Sequence, residues 1–439
     1  MPHQGSKCHE GPPQVARCSF LQVAPSQDRL SVIFRAFCLV LPPLSLLSQK
    51  AVVPWLLVVA AAACAVVWRA ERRLPVPDRA VAMGFAALLL WCAIASFWGF
   101  DLTGSLFLVL RIGAIFTATL MLFAIARGLD DRVRENLGHW LLAGILIALG
   151  LMAVERLFGY PFSEAYLGVS SEETGLGYRL NRGATAMVMI AWPAAALLWQ
   201  RGIVWAAAIL FVAVAAMLGL LESNSAIVGA IAGLATASVS LLRRKAGRAM
   251  VVLVTIVALA GTALAAQEIF RRDWGAEWLD GSARHRVEIW NYTADLIGRK
   301  PLTGWGFDAA RAIPKARPFE QVGEKPLLPL HPHNAPLQIL LELGAVGAVI
   351  VFVLLMLLVG RIEGLSRPAR VCGQALFVST LAIAYTAYGL WQNQWLAMMC
   401  SAALLIPLTS PAMAKLSGPA ALSQALGTAA EEPSPGVRQ

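Results

Sequence analysis

The chain has 439 residues, 58% of them hydrophobic and 14% charged, with a mean hydropathy of +0.65 and a formal net charge of +10. That balance excludes an ordinary soluble domain and points to a polytopic membrane protein. The positive charge does not indicate nucleic acid, because the basic residues fall in short loops between apolar runs.

Residues 1–29 are rich in Pro, Gln, Gly and Ser and read as a disordered cytoplasmic segment. No cleavable signal peptide is evident, since the first apolar run begins near Leu30 and no small-residue cleavage site follows it. A membrane span needs roughly 20 mostly apolar residues. Runs of that kind occur near 30–48, 51–68, 80–98, 105–126, 138–157, 183–200, 202–221, 224–242, 249–267, 335–360, 370–389 and 391–409, twelve in all. Pro42-Pro43 is expected to break the first. The chain therefore divides into spans 1–9 over 30–267, a long loop over 268–334, spans 10–12 over 335–409, and a disordered cytoplasmic tail over 410–439. Cys64, Cys92 and Cys400 lie inside apolar runs, and the cysteines form neither a disulfide nor a metal pattern.

Lysine and arginine set the orientation. With the N-terminus inside, the inner loops hold Arg69, Arg72, Arg73 and Arg79, then Arg127, Arg132 and Arg134, and later the Arg243 and Arg361 clusters. The short outer loops hold only Lys50, Arg179 and Arg182. This places 158–182 and 268–334 outside. Arg111 lies well inside the fourth span and is expected to face the bundle or a cavity.

The long outer loop carries its own pattern. Ser282 is placed to cap an amphipathic helix in which Val287, Trp290, Ala294 and Ile297 recur at helical spacing. Arg284 is expected to pair with Glu288 four residues on. Arg286 has no such acid and shares a face with Trp290. A Gly-rich turn, LTGWGFD, follows, and then LHPHNAPLQILLELGAVG. Here Asn334 suits a helix N-cap and Pro336 its first turn. Asn334, Gln338 and Glu342 share one face at intervals of four. Gly344 and Gly347 read as close helix packing. Tyr385, Tyr388, Trp391 and Trp395 read as an interfacial aromatic belt.

Three of the six histidines, His285, His331 and His333, fall in this loop. That suits proton transfer near neutral pH. Two histidines at spacing two, without cysteine or a clear third ligand, make a poor zinc pattern. No Walker-type phosphate loop or serine nucleophile elbow is present.

The segments NRGATAMVMIAWP, LESNSAIVGAIAGL, SARHRVEIWNYTADLIGRKPLTGWGFDAAR and HPHNAPLQILLELGAVG together resemble the bacterial O-antigen ligase and polymerase superfamily of membrane glycosyltransferases. The resemblance runs from about Gly177 to Gly347. It implies an all-α polytopic membrane protein of the bacterial inner membrane, with about twelve transmembrane helices and one long periplasmic loop containing an amphipathic helix. It further implies glycan transfer from undecaprenyl diphosphate at the periplasmic face, without nucleotide, metal or other cofactor. The acceptor would be lipid A–core for an O-antigen ligase of lipopolysaccharide biosynthesis. It would be a growing chain for an O-antigen or exopolysaccharide polymerase. Carried over by position, His333 is the general base, and Arg286 and Arg182 bind the diphosphate. Asn334, Gln338, Glu342 and Trp290 support them, and His331 is expected to be largely dispensable. Ser223-Asn224-Ser225 departs from the Ser-Arg pair of a ligase-type pattern. A secondary transporter is the alternative from another class, but the internal repeats common in that class are not seen.

Overall fold

The computed structural model describes residues 25–167, 177–221, 223–272, 281–313, 321–322, 325–326 and 328–410. The sequence expectations for residues 1–24 and for the tail from 411 lie outside them. Residues 25–29, expected to be disordered, are instead the first turns of a helix.

The twelve expected spans are all present as helices. They are α1 (Pro25–Leu47), α2 (Val52–Glu71), α3 (Arg79–Ala95), α4 (Leu102–Arg127) and α5 (Asp131–Leu157). After the short α6 (Pro161–Leu167) come α7 (Gly177–Gln200), α8 (Val204–Leu221), α9 (Asn224–Leu242) and α10 (Arg244–Arg271). A π-helical turn, Val257–Gly261, interrupts α10. The expected loop then forms α11 (Gly281–Arg299), a single turn α12 (Ala309–Ala312) and a two-residue hairpin, β1 (Gln321–Val322) with β2 (Lys325–Pro326). The last three expected spans correspond to α13 (Ala335–Glu363), α14 (Arg367–Thr386) and α15 (Asn393–Thr409). Among the described residues, ten of these helices are long and apolar enough to cross a membrane. The other two expected spans, α14 and the 17-residue α15, pack largely inside the bundle. The chain is thus an all-α polytopic membrane protein.

Helix starts follow their caps. Asp78 accepts from Val81 N, and Asp101 from Gly104 N, satisfying first-turn donors of α3 and α4. The centre of the bundle is α7, apolar on nearly every side and buried over 89% of its membrane-length stretch. It packs against α1, α8, α14 and α15.

Pro42-Pro43 does not end α1, contrary to the sequence expectation. The missing proline N–H groups leave the carbonyls of Cys38 and Leu39 without helical partners. Gly144 of α5 lies against both, so closely that a Cβ there would come within 2.5 Å of Leu39 O. The disturbed stretch is thus covered by a neighbouring backbone rather than by lipid, where an unsatisfied carbonyl is expensive.

The basic loops gather at one end of the bundle. Arg361 meets Asp78 at 2.7 Å, Arg244 meets Glu363 at 3.3 Å, and Arg367 donates to Leu241 O. Buried Arg134 closes the same end, donating to carbonyls of Ala126, Leu129, Pro407 and Ser410 where α4 and α15 finish. Arg111 faces neither the bundle nor a cavity. It is exposed on the outer face of α4, with its guanidinium 4.2 Å from the Phe107 ring one turn nearer the opposite end. A helical side chain leans toward the helix N-terminus, so this arginine reaches along the apolar surface toward that end.

Candidate active site

The opposite end of the bundle is organised by α13 and its break. Asn334 caps the helix, its side-chain oxygen accepting from Leu337 N at 3.1 Å, with Pro336 in the first turn. The helix is interrupted at Gly344, whose φ of +65° and ψ of −166° are accessible essentially to glycine alone. The turn after α11 fills the interruption. Trp305 N donates to Leu341 O at 2.8 Å, Gly306 N to Glu342 O at 3.0 Å, and Ala345 N to Pro301 O at 2.8 Å. Trp91 of α3 supplies an indole N–H to Leu343 O at 3.1 Å. The contact is backbone to backbone, since a Cβ on Gly344 would lie 2.3 Å from Leu302 O. Gly344 therefore makes a break and receives a loop, where its spacing with Gly347 suggested helix packing.

Glu342 sits one turn below Gln338 and is fully buried. Every recorded partner donates to it. Gln338 Nε2 at 3.0 Å and Ala310 N at 3.4 Å reach Oε1, while Trp391 Nε1 at 2.6 Å and Asp308 N at 3.0 Å reach Oε2. Four N–H groups on one carboxyl satisfy the carboxylate form; a protonated acid would need an acceptor for its own O–H. Glu342 thereby ties α13, the turn before α12 and the segment before α15 together. Gln338 extends the tie, its oxygen accepting from Leu390 N at 2.8 Å.

His333 and Arg286 meet at the end of α14. The last carbonyls of a helix have no partners within it. Arg286 Nη1 donates to Thr386 O at 2.9 Å, and His333 Nδ1 lies 2.9 Å from Ala387 O, the next carbonyl along. A carbonyl only accepts, so His333 Nδ1 carries the ring proton and Nε2 holds the free lone pair. Both side chains are half-buried. Burial pulls the His333 pKa below the usual 6.5, helped by the charges of Arg286 and His285 and opposed by the Ala387 bond. The ring is therefore neutral and basic at Nε2 in neutral solution. The Ala387 carbonyl and the negative end of α14 are placed to stabilise imidazolium after proton uptake. Ser225 Oγ also donates to Thr386 O, at 3.3 Å, so the Ser223-Asn224-Ser225 stretch reaches the same point by a shorter arm.

The other candidates converge on this end. Trp290 donates its indole N–H to Pro332 O at 2.9 Å and stands edge-on to Tyr385. His331 Nδ1 accepts from His333 N at 3.3 Å, and the two rings lie 4.2 Å apart. Burial first, then the charges of His333, Arg311 and Arg182, push His331 down to about 3. Arg182, on the first turns of α7, is exposed, and its charge reaches both His331 and Tyr388. Thr185 links its backbone to the site, donating to Arg182 O and sharing a 2.8 Å bond with the Tyr388 hydroxyl.

Several sequence readings change. Glu288 stands 3.5 Å from His285 Nδ1 rather than pairing with Arg284. Tyr388, Trp391 and Trp395 are buried core residues, not a belt, with Tyr388 stacked on Trp395 at 4.4 Å. The buried face of α11 is wider than its apolar stripe, adding Ile289, Thr293 and Leu296. The Ser282 side chain lies outside the described residues. The Thr386 and Ala387 carbonyls had no distinguishing signal in the sequence, and the expected span over 370–389 ran past the helix end at Thr386.

The O-antigen ligase family model matches residues 209–352, a stretch that holds Arg286, Trp290 and the whole His333-to-Glu342 run but not Arg182. A protein named "Putative polysaccharide ligase" from Rickettsia conorii is 29% identical over 338 residues, covering 74% of this chain and 77% of the relative. Relatives of the same name from Rickettsia felis and Rickettsia bellii are 28% and 27% identical, covering 70% and 72% of this chain and 75% and 78% of their own. These matches support the O-antigen ligase superfamily and an O-antigen ligase-like function.

Proposed function

We propose that this chain, similar to O-antigen ligases, is a glycosyltransferase of the bacterial inner membrane. It moves a glycan from undecaprenyl diphosphate to lipid A–core at the periplasmic face. The observation that carries the reading is the pairing of a basic His333 Nε2 with Arg286, the two anchored on adjacent carbonyls. His333 takes the proton from the acceptor hydroxyl while its oxygen bonds the anomeric carbon. The bond from that carbon to the diphosphate oxygen breaks, and undecaprenyl diphosphate leaves. The charge growing on the leaving group falls to Arg286 and Arg182, whose guanidinium groups bind phosphate oxygens and keep their protons. In a partly dry site such donors stabilise charge strongly.

The chemistry is read as metal-independent. His331 Nδ1 is taken by a backbone N–H and His333 Nδ1 by its own proton, so the pair offers no chelating set of lone pairs. A polymerase of the same superfamily would use the same steps on a growing chain.

The test is transfer by purified protein from polyprenyl-diphosphate glycan, with and without chelator. His333→Ala is expected to abolish transfer while donor binding survives, because arginines hold the diphosphate. Turnover near wild type in that variant sinks the base assignment. Deletion of the gene separates the acceptors on gels: uncapped core with long lipid-linked chains means ligase, single-repeat caps mean polymerase. Facing is tested at exposed Thr303. Thr303→Cys should react with an impermeant thiol reagent in cells whose inner membrane is intact.

A further inference from the structure

We propose that His331 is a positioning residue for the base, acting through the peptide unit between Pro332 and His333. This rests on the reading of His333 as base. That peptide unit is held from both sides. Trp290 of α11 donates to its carbonyl oxygen, and His331 accepts its N–H. The clamp matters because His333 has a φ of +53°, in the left-handed region that a side chain with a Cβ disfavours. Left alone, the backbone would relax toward negative φ and swing the imidazole off Ala387 O. Fixing the plane of the preceding peptide fixes φ at its origin.

The lone pair that His331 spends on this bond sets its own tautomer. With Nδ1 accepting, Nε2 carries the proton; the Gln392 atom 3.1 Å from it is the amide nitrogen, which only donates, so the clamp requires that amide to turn its oxygen toward His331. His331 is thus neutral, with its one acceptor nitrogen committed to the clamp, which separates its work from that of His333. It also has a bulk role to be told apart from the bond. Its ring packs on Gly389, where a Cβ would come within 2.7 Å of it.

Two substitutions separate bond from bulk. His331→Asn places an amide oxygen where Nδ1 stood and gives up most of the ring. His331→Phe keeps the ring and gives up the acceptor; His331→Gln serves as the second acceptor-shifted variant if Phe does not yield monodisperse protein. In the transfer assay, the Phe variant should lose roughly 100-fold in kcat, the loss a misplaced group produces, while Asn stays within about tenfold of wild type. KM for the donor should hold in both. Hydrogen exchange resolved at the His333 amide reads the same bond without any turnover. Exchange should quicken in Phe and Gln and stay slow in Asn. If Phe keeps wild-type kcat and a protected His333 amide, or if Asn loses both, the positioning role is wrong and His331 is filler. If wild type transfers nothing or His333→Ala is active, the base reading fails by itself. The exchange result then still decides whether the clamp exists.

Discussion

Replacing Glu342 by Gln changes one atom and tests the logic of the buried carboxylate. Four N–H groups point at this side chain, two on each oxygen. Glutamine retains one oxygen and presents an NH2 to the other pair of donors. Two donors then lose their acceptor in a site from which water is excluded. Each such loss costs about 1–3 kcal/mol. Turning the oxygen toward Trp391 and Asp308 leaves the longer Ala310 contact and Gln338 unanswered, which is the cheaper choice. Gln338 cannot simply flip, because its oxygen is committed to Leu390 N. Removing the charge relieves some desolvation. The net expectation is a destabilisation of about 2–4 kcal/mol, with the Asp308–Ala310 turn loosened from α13. The assay is thermal unfolding of detergent-purified protein followed by size-exclusion fluorescence, where the apparent Tm should drop on the order of 5 °C. Glu342→Ala should fall further. A Glu342→Gln protein that melts with wild type would refute the donor-only reading and mean that the native side chain is a neutral acid.

Arg286→Lys keeps the charge and loses the planar fork, so transfer should fall at least tenfold by order of magnitude at normal membrane abundance. Exposed Arg284→Lys should be nearly silent, and equal behaviour of the two would unseat Arg286 from the diphosphate. Because burial lowers the His333 pKa, kcat should be flat through neutral pH and fall only as acidity carries it below the usual 6.5; an acid limb centred above that value would contradict the geometry. His331, held to about 3 in the folded protein against 6.5 when unfolded, contributes stability that is complete above pH 6.5 and is lost as pH falls toward 3. His331→Asn should therefore flatten the acid side of a Tm-versus-pH curve, and an unchanged curve would remove His331 as its source. Gly344→Ala should cost about 1–3 kcal/mol from the dihedral alone, before the clash with Leu302 O, and a protein of wild-type Tm would mean the break closes into regular helix.

Much of the bundle was legible because membrane spans announce themselves by length and hydropathy. The cap at Asn334 and the amphipathic α11 were equally local, readable from a few neighbouring residues. What the sequence withheld was long-range. Glu342 stood out as an acid in an apolar run, yet nothing local says that its partners are Trp391 and two backbone amides of a turn about thirty residues earlier. Thr386 and Ala387 act through carbonyls, which every residue has, so only tertiary structure selects them. The aromatic residues after α14 were misread because a helix end rich in Tyr and Trp looks alike whether it faces lipid headgroups or a packed interior. Arg111 misled for the opposite reason. Its long side chain lets an exposed position in an apolar helix carry charge without turning inward.

The anchoring of Arg286 and His333 on neighbouring carbonyls gives the two a shared origin of measurement. On the proposed function, helices that parted for a polyprenyl-linked donor would shift against each other, and a base on one helix and a cation on another would ordinarily drift apart as they did. Here both are referenced to two successive peptide units at the end of α14. Displacement of that helix becomes common to both groups and cancels in their separation. In the proposed mechanism, proton removal and charge stabilisation would thus stay in step through any shift of that helix.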